Sequence, residues 1–346
     1  MRKLLIILLV LLLLPMPVYA AEYAPPSPEG NGEKYMPENT ESFAEGLWSI
    51  LLDGISALQP TLYDALKICC SVIAAVMMLS LVRNFSVSTD MVLKLVETML
   101  LATILIGASN TLIDLAANTV NELSDYGKLL LPVMTGAMAA QGSGVTSAAL
   151  YTGTAVFDAI LSTAISKLLT PMIYIYLVLA VAVSATGQVA LNQMLSFVKW
   201  LVTWALKISL YIFTGYMSVT RVISGSVDAA AIKATKLTIS GMVPVVGGIL
   251  SDASETILVS ASIMKNSIGV YGLLAIAAIC VEPFLRIGFQ YLALKVTGAI
   301  CGVFGGERAV ALVKHFTTAM GLLLAMTGAV GLMLLVSVIC FMKGVA

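Results

Sequence analysis

An all-α, polytopic integral membrane protein is the fold class this sequence predicts, on three observations. Hydrophobic side chains make up 59% of the 346 residues and charged ones 11%, against roughly 45 to 50% apolar in soluble domains, and the mean hydropathy is +0.99. Apolar runs of the length a bilayer needs, roughly 20 residues, recur along the chain. One central run is interrupted by Pro and Gly where an ordinary span would continue.

Taken in order, residues 1–20 follow the secretory pattern: Arg2 and Lys3, an apolar run, then Val18 and Ala20 placed for cleavage after Ala20. An uncleaved anchor is the alternative, and either one delivers the adjoining segment outside the cytoplasm. That segment, residues 21–42, is rich in Pro, Gly, Glu and Asn and reads as a flexible extracytoplasmic leader with too little apolar content to pack. The helical membrane domain is 43–346. It opens with an amphipathic helix over 43–58, whose Phe43, Leu47, Ile50, Leu51, Ile55 and Leu58 recur at helical spacing.

Spans are predicted at 66–82, 91–108, 168–191, 201–222, 268–282, 285–303 and 320–341. The fifth and sixth are short and joined at Glu282-Pro283. Five to seven transmembrane helices is the range, and seven with an extracytoplasmic start puts the C-terminus in the cytoplasm. That count leaves Arg83, Lys199, Arg286 and Lys343 inside but Arg221, Lys233, Lys236, Arg308 and Lys314 outside, which gives the positive-inside rule weak support. The Gly, Ser and Ala-rich stretch 129–151 is either re-entrant or a packed loop.

Residues 233–272 hold the interruption. Pro244, Gly247 and Gly248 fall inside an apolar run, and Asp252 with Glu255 has the D-x-x-E spacing of a capping box. The helix begun there is predicted to run to about Asn266, with Lys265 in its last turn and Gly269 as its stop, before a new helix from Ile268. Irregular backbone at membrane depth is tolerated only where protein buries it or it lines water. This broken or re-entrant segment is one reading of the functional centre; an extramembrane loop is the other.

Charges at membrane depth come next. Glu282 and Arg286 stand at i, i+4 in the favourable order, either a coupling-ion or gating pair or a salt bridge at an interfacial turn. Gly298, Gly302 and Gly306 define a small-xxx-small helix-packing face, whose partner is in this chain, a second copy or another protein. The 19 basic and 19 acidic residues balance, so nothing electrostatic favours nucleic acid. Five cysteines in apolar runs and a single histidine, His315, give no disulfide framework or metal site. No Walker A, H-E-x-x-H or G-x-S-x-G signature is present, so the reading is a non-enzyme without cofactor.

The signal sequence, the acidic Pro-rich leader, L-W-S-I-L-L-D-G at 47–54, I-S-G-M-V-P-V-V-G-G-I-L-S-D-A-S-E-T at 239–256 and K-N-S-I-G-V-Y-G at 265–272 together resemble the stage III sporulation protein AE family of endospore-forming Bacillota. The resemblance implies a multi-pass protein of the mother-cell membrane surrounding the forespore. Its implied partners are membrane lipid, the other stage III sporulation A proteins and, through the complex, stage II sporulation protein Q, in a channel or secretion-like apparatus required for forespore development and late forespore gene expression. Pro244, Gly247, Gly248, Asp252, Glu255, Lys265, Asn266 and Gly269 match the family signature, read here as a pore or gating motif; the family supplies no catalytic residue. Two rival readings stand beside it: a secondary transporter acting alone, with Glu282 binding substrate or ion, and a non-conducting membrane scaffold.

Overall fold

A computed structural model of the chain describes residues 25–37, 42–85, 90–242, 247–304 and 306–343, with only the backbone for 31, 83–85, 90–91, 221, 225–226, 229–232, 234–242 and 247–261. In chain order the elements are α1 (Asn31–Tyr35), α2 (Phe43–Ser56), α3 (Gln59–Phe85), α4 (Asp90–Ala140), α5 (Gly144–Ala164), a π-helical turn (Ile165–Leu169), α6 (Thr170–Thr186), α7 (Val189–Met242), α8 (Gly247–Phe304) and α9 (Glu307–Met342).

Among the described residues, six helical segments are long and apolar enough to cross a bilayer: α3, α4, α5 with α6, α7, α8 and α9. Six lies within the predicted range of five to seven, and the short spans predicted at 268–282 and 285–303 are one helix because Pro283 does not divide α8. Proline in a helix interior deletes a backbone donor, but neighbouring helices compensate for this in membrane bundles. Here 67% of the apolar window of α8 is buried, so packing overrides the local breaker. Six crossings return the chain to the side on which α3 began. An even number of spans places Arg308 and Lys314 on the side that holds Arg83 and Lys199.

The bundle is organised around α9, which is buried along its length from Ala309 to Phe341. One continuous apolar cluster joins it to α3 through α8. The span windows of α7 and α3 are only 17% and 22% buried, so these two helices form the lipid-facing or partner-facing flanks.

Two ends can be distinguished. At the basal end Arg308 donates to Ala185 O at 2.9 Å, beside Gly187, whose left-handed φ of 70° closes α6. At the distal end Gly269 of α8 packs against Met342 of α9 with no room for a Cβ. Gly269 is therefore a close-approach residue inside a continuous helix, not a stop. The stretch 129–151 is not a loop: α4 runs to Ala140, a turn through Gly142 (φ 84°) reverses the chain, and α5 starts at Gly144.

The N-terminus of α5 is capped from a distance. Ser143 makes no side-chain cap; instead Asp228 of α7, 2% exposed, accepts from Val145 N at 3.1 Å and Thr146 N at 2.9 Å. A carboxylate there satisfies orphan donors and meets the positive end of the helix dipole. Beyond this level α7 continues from Asp228 to Met242, about 20 Å of helix, and α8 begins about 30 Å before Gly269. A helical arm thus projects from the distal end.

Candidate functional site

The strongest polar constellation lies midway along α8, where the leader meets the bundle. Composition predicts a flexible leader over 21–42, but residues 25–37 pack into a groove between α4 and α8. Tyr35 is 3% exposed and joins Ile50, Leu274, Ala278 and Val281 in a second apolar cluster. One aromatic ring supplies the burial that the average composition of the segment conceals.

Two glycines make the approach close enough. Gly30 adopts a φ of 66° and lies against the Glu122 carboxylate of α4. A Cβ on Gly32 would fall 2.5 Å from Ile279 Cγ1 and 2.8 Å from Pro28 Cβ. With no side chain in the way, Gly32 N donates to Glu122 Oε1 at 2.9 Å, a charge-assisted bond.

Three residues later Tyr35 OH donates to Glu282 Oε2 at 3.3 Å. The other carboxylate oxygen, Oε1, meets Arg286 NH2 at 2.8 Å, one helical turn along. Glu282 is 8% exposed, so its charge is held by one guanidinium and one phenol. The same layer contains Gly331 of α9, whose added Cβ would meet Cys280 Sγ at 3.1 Å and Leu123 Cδ1 at 4.0 Å. Next to Leu123, Ser124 Oγ donates to Asp158 Oδ2 at 2.6 Å, while Asp158 Oδ1 has no hydrogen-bond partner. Three acidic side chains, Glu122, Asp158 and Glu282, thus share one layer of a mainly apolar bundle, and the leader engages two of them.

The signature residues of the central stretch are distributed differently. Pro244 lies outside the described residues. Gly247 and Gly248 open α8, and Asp252 and Glu255 sit past its first turn, so their D-x-x-E spacing does not mark a helix start. A helix already begun upstream has no orphan N–H at Asp252 for a cap to serve. Lys265 is buried, Asn266 exposed, and Gly269 faces Met342. Lys265, Asn266 and Gly269 lie about 20 Å or more along α8 from Glu282.

The glycine face is also divided. A Cβ on Gly298 would make ordinary contact with Val313 at 3.5 Å, one on Gly302 would meet nothing within 4 Å, and Gly306 lies outside α8 as the N-cap of α9. Within the chain these three do not form one packed face. Among the described residues, no group of three or more His, Cys, Asp or Glu side chains is arranged to hold a metal ion.

The sequence matches the family model described as Stage III sporulation protein AE over residues 34–344. A curated relative, Stage III sporulation protein AE of Bacillus subtilis (strain 168), is 23% identical over 211 residues, which is 60% of this chain and 52% of the relative. The alignment therefore spans about half the length of that relative. No solved structure matches the chain.

Proposed function

The chain belongs to the stage III sporulation protein AE family, and from that membership we propose that it is a non-enzymatic membrane subunit of a channel or secretion-like complex linking mother cell and forespore. In this reading it resides in the mother-cell membrane around the forespore, works with other stage III sporulation A proteins and, through the complex, with stage II sporulation protein Q, and sustains forespore development and late forespore gene expression. The observation that carries the reading is the match over 34–344 on a bundle with six candidate spans.

The packing favours a subunit over a transporter acting alone. The axis of the bundle is filled by α9 and its apolar neighbours, so a passage is formed between this chain and others. The flank of α7 suits such an assembly: Phe197, Trp200 and Trp204 are exposed and stack at centroid distances of 5.9 Å. Aromatic rings on an apolar flank are effective contacts for lipid or for another membrane helix.

Orientation follows from the leader and the charges. A signal sequence delivers residues 25–37 outside, which puts the distal end and the projecting arm outside as well. The basal turns carry Arg83, Lys94, Arg308 and Lys314, in accord with a cytoplasmic basal end. The arm with Gly247, Gly248, Asp252 and Glu255 then reaches into the space between the two membranes, where a pore or gating motif meets its partners.

Photo-crosslinking from positions 197, 204 and 211 in sporulating cells tests the subunit reading. Adducts with another membrane protein of the complex are expected. Transport by the purified chain alone in liposomes, abolished by Glu282→Gln, would replace the subunit reading with the transporter.

A further inference from the structure

Three lysines from three helices converge on one cavity of about 520 Å³ near the basal end: Lys199 of α7, Lys295 of α8 and Lys314 of α9. Helix arithmetic puts them at a common depth. Lys199 follows the start of α7 at Val189, Lys295 precedes the end of α8 at Phe304, and Lys314 follows the start of α9 at Glu307, all by about 10 to 15 Å at 1.5 Å per residue.

None of the three pairs with a carboxylate among the described residues. Lys295 lies over the Tyr291 ring, 5.8 Å from its centroid, a contact that holds the cation without neutralising it. The neighbouring His315 has its Nδ1 3.3 Å from Tyr176 OH on α6. Like charges gathered at one cavity repel each other unless an anion joins them. Deeper in, the walls are apolar, with Leu294, Val310 and Leu322. Lys199 stands at the edge of the cavity on α7, whose span window is 17% buried, so the cavity adjoins an exposed flank of the bundle.

We propose that this cavity binds the phosphate headgroup of an anionic membrane phospholipid, with the three ammonium groups around the phosphate and an acyl chain along the apolar wall. Basic pockets between membrane helices recognise such headgroups by charge, and the apolar wall adds the hydrocarbon contact that a free anion lacks. The site depends on α7, α8 and α9 crossing the bilayer and not on the sporulation role. Its failure therefore leaves the subunit reading intact.

Native mass spectrometry of the full chain, released from bilayers containing phosphatidylglycerol and phosphatidylcholine, tests the assignment. The expected result is selective retention of phosphatidylglycerol, weakened roughly fivefold for each of Lys199→Gln, Lys295→Gln and Lys314→Gln. Lys233→Gln, on the distal arm, leaves retention unchanged. The single variants are compared with the parent for thermal transition in phosphatidylcholine alone, so that loss of binding is separated from loss of fold. Equal retention of both lipids, or retention indifferent to all three substitutions, overturns the proposal. Displacement of the lipid by inorganic phosphate at millimolar concentration also overturns it, by making the cavity a site for a soluble anion.

Discussion

Tyr35 in the leader and Glu282 in the middle of α8 stand 247 residues apart in sequence and are joined by a hydrogen bond of 3.3 Å. The bond makes the leader part of the bundle and gives the buried carboxylate a second partner beside Arg286. Tyr35→Phe keeps the ring in its cluster and deletes the donor, at an expected cost of about 1 kcal/mol. Tyr35→Ala removes the ring as well and costs about 3 kcal/mol or more. Limited proteolysis of the 25–37 segment reads both: cleavage accelerates modestly for Phe and strongly for Ala, while identical rates for the parent and both variants would mean that the leader is not docked.

The Glu282–Arg286 pair is predicted to be asymmetric under mutation. Arg286→Gln leaves a buried carboxylate with only a phenol for company and lowers the thermal transition. Glu282→Gln leaves the cation, which is partly exposed and can turn to solvent, and costs less. The double variant recovers part of the Arg286→Gln loss. A double-mutant cycle with no coupling between the two would contradict the pairing.

Asp228→Ala strips the remote cap from α5. Val145 and Thr146 then lose their acceptors, at an expected cost of about 1 to 2 kcal/mol. Hydrogen exchange is the direct check: these two amides speed up in the variant while those in the middle of α5 do not.

Two glycines separate packing from helix propensity. A Cβ on Gly153 would run into the Tyr216 ring, which cannot swing away as the end of a flexible chain can, whereas Gly107 has nothing within 4 Å of its Cβ position. Gly153→Ala is expected to destabilise by about 1 to 3 kcal/mol. Gly107→Ala is expected to be neutral or to stabilise by up to about 1 kcal/mol. Thermal unfolding in one detergent gives the comparison, and equal effects of the two would refute the close approach of α5 to α7.

The class of fold was legible because apolar runs of bilayer length cannot be mistaken for soluble helices, and the amphipathic segment at 43–58 corresponds to α2. What local patterns concealed was tertiary. Pro283 reads as a break until the burial of α8 is known, and Gly269 reads as a stop until Met342 is seen against it. Asp252 and Glu255 have the spacing of a capping box, but a spacing does not reveal that the helix started upstream. The docked leader was hidden by averaging, since Tyr35 is one aromatic residue in a polar stretch. The remote cap from Asp228 and the Glu122, Asp158 and Glu282 layer join positions far apart in sequence, with no short-range signal. The i, i+4 spacing of Glu282 and Arg286 is local, and for that reason their proximity could be read from the sequence.

The central claim is that the signature residues sit on an arm outside the membrane, on the leader side, where they serve the complex. Single cysteines placed from Ile239 to Gly272 in a Cys-free variant that still supports sporulation, treated with a membrane-impermeant thiol reagent, test it most directly. The account predicts labelling from the leader side over 243–255, fading as α8 enters the bundle near Gly269, with sporulation lost when the arm is modified. Labelling only from the cytoplasmic side, or protection throughout with sporulation undisturbed, would contradict it.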